Sequence, residues 1–203
     1  MRSQPARALA VVAEQAATCE RCDLYRNATQ TVFGEGPVPA PLMVVGEQPG
    51  DQEDKAGHPF VGPAGRLLDE AFDAAEIDRT AIYVTNAVKH FKWEPRGKRR
   101  IHQKPNASEV LACGHWLDQE VDLVDPRVLV ALGATALRPL FTERGTVSGL
   151  RGAPRESRFG IPAIVTVHPS AIVRIREPDE RRTAFDAFVG DLRLAASTAA
   201  QAA

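Results

Sequence analysis

Four short, mostly apolar runs constrain this chain more than any other feature. They are Leu42 to Val45, Ile82 to Thr85, Arg127 to Leu132 and Ala163 to Val167, and each stops at a glycine or a polar residue: Gly46, Asn86, Gly133 or His168. Such length and near-continuous apolarity suit strands buried on both faces. Between them, apolar residues recur at helical spacing. Pro63 opens a helix to about Glu76 with Leu67, Leu68, Ala71 and Phe72 on one face, and Ser108 to Val121 carries Val110, Leu111, Leu117 and Val121. A short helix runs from Gly133 through Leu140, and Pro178 to Ala196 places Phe185, Phe188, Val189 and Leu192 together. Pro5 to Ala17, with Leu9, Val12, Ala13 and Ala16, is a further helix ahead of the first strand. Strands alternating with helices predict an α/β chain: three layers, α/β/α, with a mostly parallel central sheet of about four strands. A chain of 203 residues is expected to form one domain over 1–203, with a disordered tail from about 196.

In sheets of this kind the ligand lies beyond the carboxyl ends of the strands. Those ends are Gly46-Glu47-Gln48-Pro49-Gly50, Thr85-Asn86, Gly133-Ala134 and His168-Pro169-Ser170. Three of the four carry polar groups capable of chemistry, and the topology predicts that they converge. The segment His58-Pro59-Phe60-Val61-Gly62-Pro63-Ala64-Gly65 adds an aromatic ring at a loop end. Spacing alone leaves two roles open for Phe60, stacking on a base or packing in the core.

Charge gives a second constraint. The formal net charge is -1, yet Lys89 to Lys104 holds seven Lys or Arg and one acid, Glu94, in sixteen residues. A cationic strip on a near-neutral chain points to a local anionic partner, most commonly a nucleic-acid backbone. Inside it, Lys98-Arg99-Arg100-Ile101-His102 surrounds one imidazole with cations, which disfavour its protonation. A neutral imidazole on a phosphate-binding loop can act as base or nucleophile. A solvated loop with an incidental His is the bland alternative. No apolar run reaches membrane-span length, Glu14 and Gln15 interrupt the Ala-rich N-terminal stretch that follows Arg2 and Arg7, and three Cys argue against a disulfide framework. The expectation is a cytoplasmic protein, monomeric and without membrane contact.

Taken together, GEQPG at 46–50, PFVGPAG at 59–65, VTNAVK at 84–89, VLVALGATA at 128–136 and VHPS at 167–170 resemble the uracil-DNA glycosylase superfamily, in the family's order and over most of the chain. Cys19-Glu20-Arg21-Cys22 matches the N-terminal C-x-x-C of its iron–sulfur branch, and KRRIHQKP at 98–105 resembles the UdgX type, whose members become covalently joined to DNA after removing uracil. The resemblance implies uracil-containing DNA as substrate, with single strands accepted, and a flipped nucleotide in the site.

The implied roles follow residue by residue. Phe60 would stack on uracil, Asn86 would read its Watson–Crick edge, and Gly46, Gln48 and Asp51 would line the base site. His168 would donate to uracil O2 as charge builds on the leaving base. His102 would capture the sugar at C1′, with Glu47 orienting that ring or positioning a water. Lys98, Arg99, Arg100, Lys104 and Ser170 would meet the DNA backbone, with Arg100 as loop anchor. For the cofactor, the branch uses four Cys and this chain has three, so Cys19, Cys22 and Cys113 with His90 are the implied ligands of a [4Fe-4S] cluster. A Cys3His zinc site is the competing chemistry. Two other functions stay open at the level of sequence: a turnover glycosylase that uses water, and a metal-stabilised nucleic-acid-binding module without catalysis.

Overall fold

The computed structural model describes residues 3–143 and 145–202. Its elements are α1 (Gln4–Ala16), β1 (Leu42–Gly46), α2 (Asp51–Ala56), α3 (Pro63–Ala74), β2 (Ile82–Asn86), β3 (Trp93–Arg96), β4 (Arg99–His102), α4 (Ala107–Val124), β5 (Val128–Leu132), α5 (Ala134–Leu140), α6 (Val147–Leu150), β6 (Arg155–Glu156), β7 (Pro162–Thr166), α7 (Pro169–Val173) and α8 (Pro178–Gln201).

Side-chain alternation along the strands builds two apolar layers. On β1, Leu42 and Val44 face one way with Leu68, Phe72, Phe188 and Leu192, while Met43 and Val45 face the other with Leu117, Val121, Leu137 and Leu140. Because both faces are covered, β1, β2 and β5 are buried along their whole length. A small third cluster joins Val12 and Ala16 of α1 to Val110, Cys113 and Trp116 of α4.

The sheet order is β2-β1-β5-β7-β6. The first four strands are parallel, and β6 is an antiparallel edge paired with β7. The expected α/β/α architecture stands, with five strands in place of four. The extra one is two exposed residues long and leaves no apolar signature in the sequence. A second departure is at the C-terminus, where α8 continues to Gln201 rather than fraying from about 196. Ala195 and Ala199, four residues apart, are both buried in the α3–α8 layer and hold that end down. No helix among the described residues is long and apolar enough to cross a membrane.

The basic stretch, expected as a loop, folds into a hairpin. β3 and β4 pair antiparallel with Trp93 opposite His102, and Gly97, at a φ of 61°, turns the chain between them. That left-handed position costs glycine nothing, which is why a two-residue Gly97-Lys98 connection is available here.

Candidate functional site

A cavity of about 580 Å³ opens at the carboxyl ends of β1, β2, β5 and β7. Glu47, Gln48, Asp51, Phe60, Asn86, His102, Lys104, His168 and Ser170 all line it. Residues spread across more than half the chain therefore meet, as the topology predicted.

Close packing at the base of the cavity explains Gly46. A Cβ there would lie 2.4 Å from Asn86 Oδ1 and 2.7 Å from the tip of the Phe60 ring. Only glycine lets the amide and the ring approach the strand end together. Phe60 is buried and its backbone sits at a φ of 58°, an unusual place for an aromatic residue. Both roles left open by the sequence are compatible with its position, since it touches the core layer and also lines the cavity.

Glu47 is held from two sides. Its Oε1 lies 3.1 Å from His102 Nε2, and its Oε2 accepts a hydrogen bond from the Thr135 hydroxyl. Burial pushes this carboxyl up, but the hydrogen bonds from His102 and Thr135 and the nearby imidazoles outweigh it, so its pKa falls below the ordinary value. Glu47 is thus a carboxylate at neutral pH. Thr135 escaped the sequence reading, although it stands two residues past the Gly133 strand end where such a group was to be sought.

His168 behaves differently. Its Nδ1 accepts the backbone N–H of Ser170 at 3.2 Å and lies 2.8 Å from the Ser170 hydroxyl. A backbone N–H can only donate, so Nδ1 carries no proton, and the neutral ring presents Nε2–H. Burial is the main cause that lowers its pKa to about 4, opposed by Glu47 and assisted by His102 and Arg174. His168 is a neutral hydrogen-bond donor across the physiological range.

Two of the expected contact residues hold internal partners. Arg100 Nε lies 2.5 Å from Asp51 Oδ1 and its Nη1 2.6 Å from the fully buried Asp54 Oδ2. The guanidinium also lies 5.4 Å from the ring centres of Phe91 and Trp93. It is an anchor, an internal one, clamping the hairpin onto α2; desolvation lowers its pKa, and Asp54 and Asp51 outweigh that and hold it raised. Gln48 lines the cavity, yet its amide is spent on the backbone of the hairpin stem. Nε2 donates to the Lys92 and Gln103 carbonyls at 3.2 and 3.0 Å, and Oε1 accepts from Lys92 N–H at 3.0 Å. Trp93 Nε1 adds a hydrogen bond to the Asn27 carbonyl at 2.8 Å. Together these contacts set His102 over the cavity, half exposed. Lys98 and Arg99 are exposed at the hairpin tip, away from the cavity lining.

Beneath Asn86 lies a sealed polar network. Lys89 Nζ donates to the Asn86 carbonyl at 2.8 Å, to Thr85 Oγ1 at 2.6 Å and to Glu120, with both charged side chains fully buried. Glu120 also accepts from Tyr83 OH and Gly34 N–H, each at 3.0 Å.

The same residue leads to the cysteines. Lys89 N–H donates to Cys113 Sγ at 3.3 Å, and Trp116 Nε1 donates to Cys19 Sγ at 3.1 Å. Cys22 packs against the same cluster. Burial raises the Cys22 thiol and pushes Cys113 up to about 11, against the lowering effect of the Lys89 backbone hydrogen bond and charge. The Thr31 hydroxyl gives its proton to the Ala16 carbonyl at 2.9 Å, so His90 Nε2, 2.9 Å from Thr31 Oγ1, must be the donor. This leaves Nδ1 of His90 with a free lone pair, the arrangement of a metal-ligating imidazole whose other nitrogen is tied by a hydrogen bond. Burial lowers the pKa of His90, which keeps it neutral. Among the described residues no three His, Cys, Asp or Glu side chains gather so as to hold a metal ion. The donor set of three thiols and one imidazole has the chemistry that an iron–sulfur cluster takes.

Comparison with known proteins bears on the same elements. Residues 33–193 match the Uracil DNA glycosylase superfamily. The chain belongs to this superfamily. Among its relatives, the Type-4 uracil-DNA glycosylase of Thermotoga maritima is 39% identical over 174 residues, spanning 85% of this chain and 86% of that protein. The Type-4 uracil-DNA glycosylase of Pyrobaculum aerophilum is 37% identical over 163 residues, 77% of this chain and 80% of the relative. A Type-5 uracil-DNA glycosylase from the same organism is more distant, at 27% over 185 residues. The superfamily match takes in β1, β2, β5 and β7, the four strands whose ends build the cavity.

Proposed function

We propose that this protein excises uracil from DNA and is then joined covalently to the abasic sugar through His102. A flipped deoxyuridine would enter the cavity with its base against Phe60 and its edge on the Asn86 amide. Cleavage of the C1′–N1 bond leaves the electron pair on uracil, where the Nε2–H of His168 stabilises the developing charge at O2. A preorganised donor of this kind contributes about 3–4 kcal/mol. The sugar becomes an oxocarbenium ion, and Glu47 faces it as a carboxylate. A lone pair of the His102 imidazole then forms a bond to C1′, and the ring becomes a cation balanced by Glu47 until its remaining N–H proton is lost.

The observation that carries this reading is the placement of His102 Nε2 at 3.1 Å from Glu47 Oε1, on the cavity wall that also holds His168. A nucleophile held against the carboxylate is positioned ahead of a diffusing water. DNA-binding residues in this reading are Lys104 and Ser170 at the rim, with Lys98 and Arg99 at the hairpin tip. We further propose that Cys19, Cys22, Cys113 and His90 hold a [4Fe-4S] cluster, which would tie α1 and α4 to the segment between β2 and the hairpin without taking part in the chemistry.

Incubation with a uracil-containing oligonucleotide followed by boiling in SDS tests the capture step. The expected result is a shifted protein band that is absent for His102→Ala, while free uracil is still released. A shifted band that persists in His102→Ala overturns the assignment. Free uracil with multiple turnover and no band for the unaltered protein would favour water as acceptor, with Glu47 positioning it.

A further inference from the structure

Beside the main cavity lies a smaller groove of about 330 Å³. Its apolar side is Leu67 of α3 with Ile175 and Phe185, and its charged side is Arg176, Arg181 and Arg182. One acid, Glu70, also lines it, so three positive and one negative side chains give a net lining charge of +2. All three arginines are exposed, and none forms an ion pair with any described residue. The acids of the same stretch, Glu177, Asp179 and Glu180, stay outside the groove.

The two cavities share their walls. Pro63 and Ala64 at the start of α3 line the main cavity, and Leu67 and Glu70 on the following turns line the groove. Likewise Val173 and Arg174 at the end of α7 face the main cavity, whereas Ile175 and Arg176 face the groove. At roughly 1.5 Å per helical residue, the groove begins about 6 Å along α3 from the base site. No residue of β3 or β4 lines it.

We propose that this groove is a second strand subsite, which takes a nucleotide neighbouring the flipped one on the same DNA strand. This rests on the glycosylase reading above. The flat face of the neighbouring base packs on the half-buried Ile175 and Phe185, over the buried Leu67, and its phosphates meet Arg176, Arg181 and Arg182. An apolar floor beside a cationic lip is the chemistry of single-strand recognition, in which stacking and backbone charge act together. The continuity with the base site selects a DNA strand over an acidic peptide, because a strand entering the cavity must leave it along one of its walls.

The test is the salt dependence of equilibrium binding to uracil-free single-stranded DNA, which needs no catalysis. Each lost phosphate contact flattens the slope of log K against log salt by about 0.7 for a single strand. Arg181→Gln with Arg182→Gln should therefore flatten it by about 1.4, so that the unaltered protein loses roughly 7-fold more affinity than the variant between 50 and 200 mM salt. Arg176→Gln alone should give about half that change in slope. Free uracil, which carries no phosphate and fills only the base site, should bind variant and parent alike. An unchanged slope on long DNA overturns the proposal, and so does a matching loss of free-uracil binding in the variants. Thermal melting of each variant reports the fold separately, and exposed substitutions of this kind stay within about 0.5 kcal/mol. Failure of the glycosylase reading would show instead as no uracil released by the unaltered protein, whatever its salt slope.

Discussion

Two carboxylates serve the carboxyl ends of adjacent strands, and their surroundings are opposite. Glu120 is fully buried and satisfied by Lys89, Thr85, Tyr83 and Gly34, and it lines neither cavity described above. Among the described residues Glu47 has two side-chain partners, Thr135 and His102, and the second of these is half exposed on a hairpin. The first pair is sealed under the base site; the second is left facing the space where a substrate would lie. A charge surrounded by fixed donors maintains a shape. A charge whose partner stands at an opening can act on something that arrives.

Removing one partner from each site separates these roles. The largest effect is expected at the sealed pair: Glu120→Ala strands Lys89 in the interior and should cost about 3–5 kcal/mol of stability, measured by denaturant unfolding. Joint replacement, Glu120→Leu with Lys89→Met, should recover most of that loss, and no recovery would break the idea that the pair is mainly architectural. At the open site, Glu47→Gln keeps the shape and deletes the charge. Uracil release should fall about 10²–10³-fold, as for loss of one preorganised electrostatic group, with unfolding almost unmoved. Equal damage to stability at both positions would erase the contrast.

The smallest effect concerns pH. His168 has a pKa of about 4 in the folded chain against an ordinary value of 6.5. The unfolded chain therefore binds more protons between these values, so stability rises with pH from about 4 to about 6.5 and levels off above. The span is roughly 2–3 kcal/mol once its partial exposure is allowed for. His168→Gln should flatten that limb of the stability curve, and an unchanged limb would show that the imidazole is not held neutral by its surroundings.

How legible these features were depended on where the signal lay. The four parallel strands were readable because strands buried on both faces are written as unbroken apolar runs, as in Met43-Val44-Val45 and Val128 to Leu132. Convergence of Glu47, Asn86 and His168 followed from topology alone. The hairpin was not readable, since its four-residue strands are largely exposed and make no apolar stripe. The internal partners of Arg100 and Gln48 were hidden for a related reason. A cation in a basic run looks available, and an amide beside a site looks ready to bind, until the partners that consume them are located. For Arg100 these are Asp51 and Asp54, about fifty residues away in sequence. Thr135 and the Lys89–Glu120 network depend likewise on pairings between distant segments, which no local pattern announces.

Among the described residues the β3–β4 ribbon forms a sheet of its own and pairs with no strand of the central sheet. What fastens it is a handful of side chains, chiefly Gln48, Arg100 and Trp93. Such an appendage is free to diversify: its residues can be exchanged in evolution without re-forming the scaffold that grips the base, so the fate of the cut product becomes a separately heritable trait.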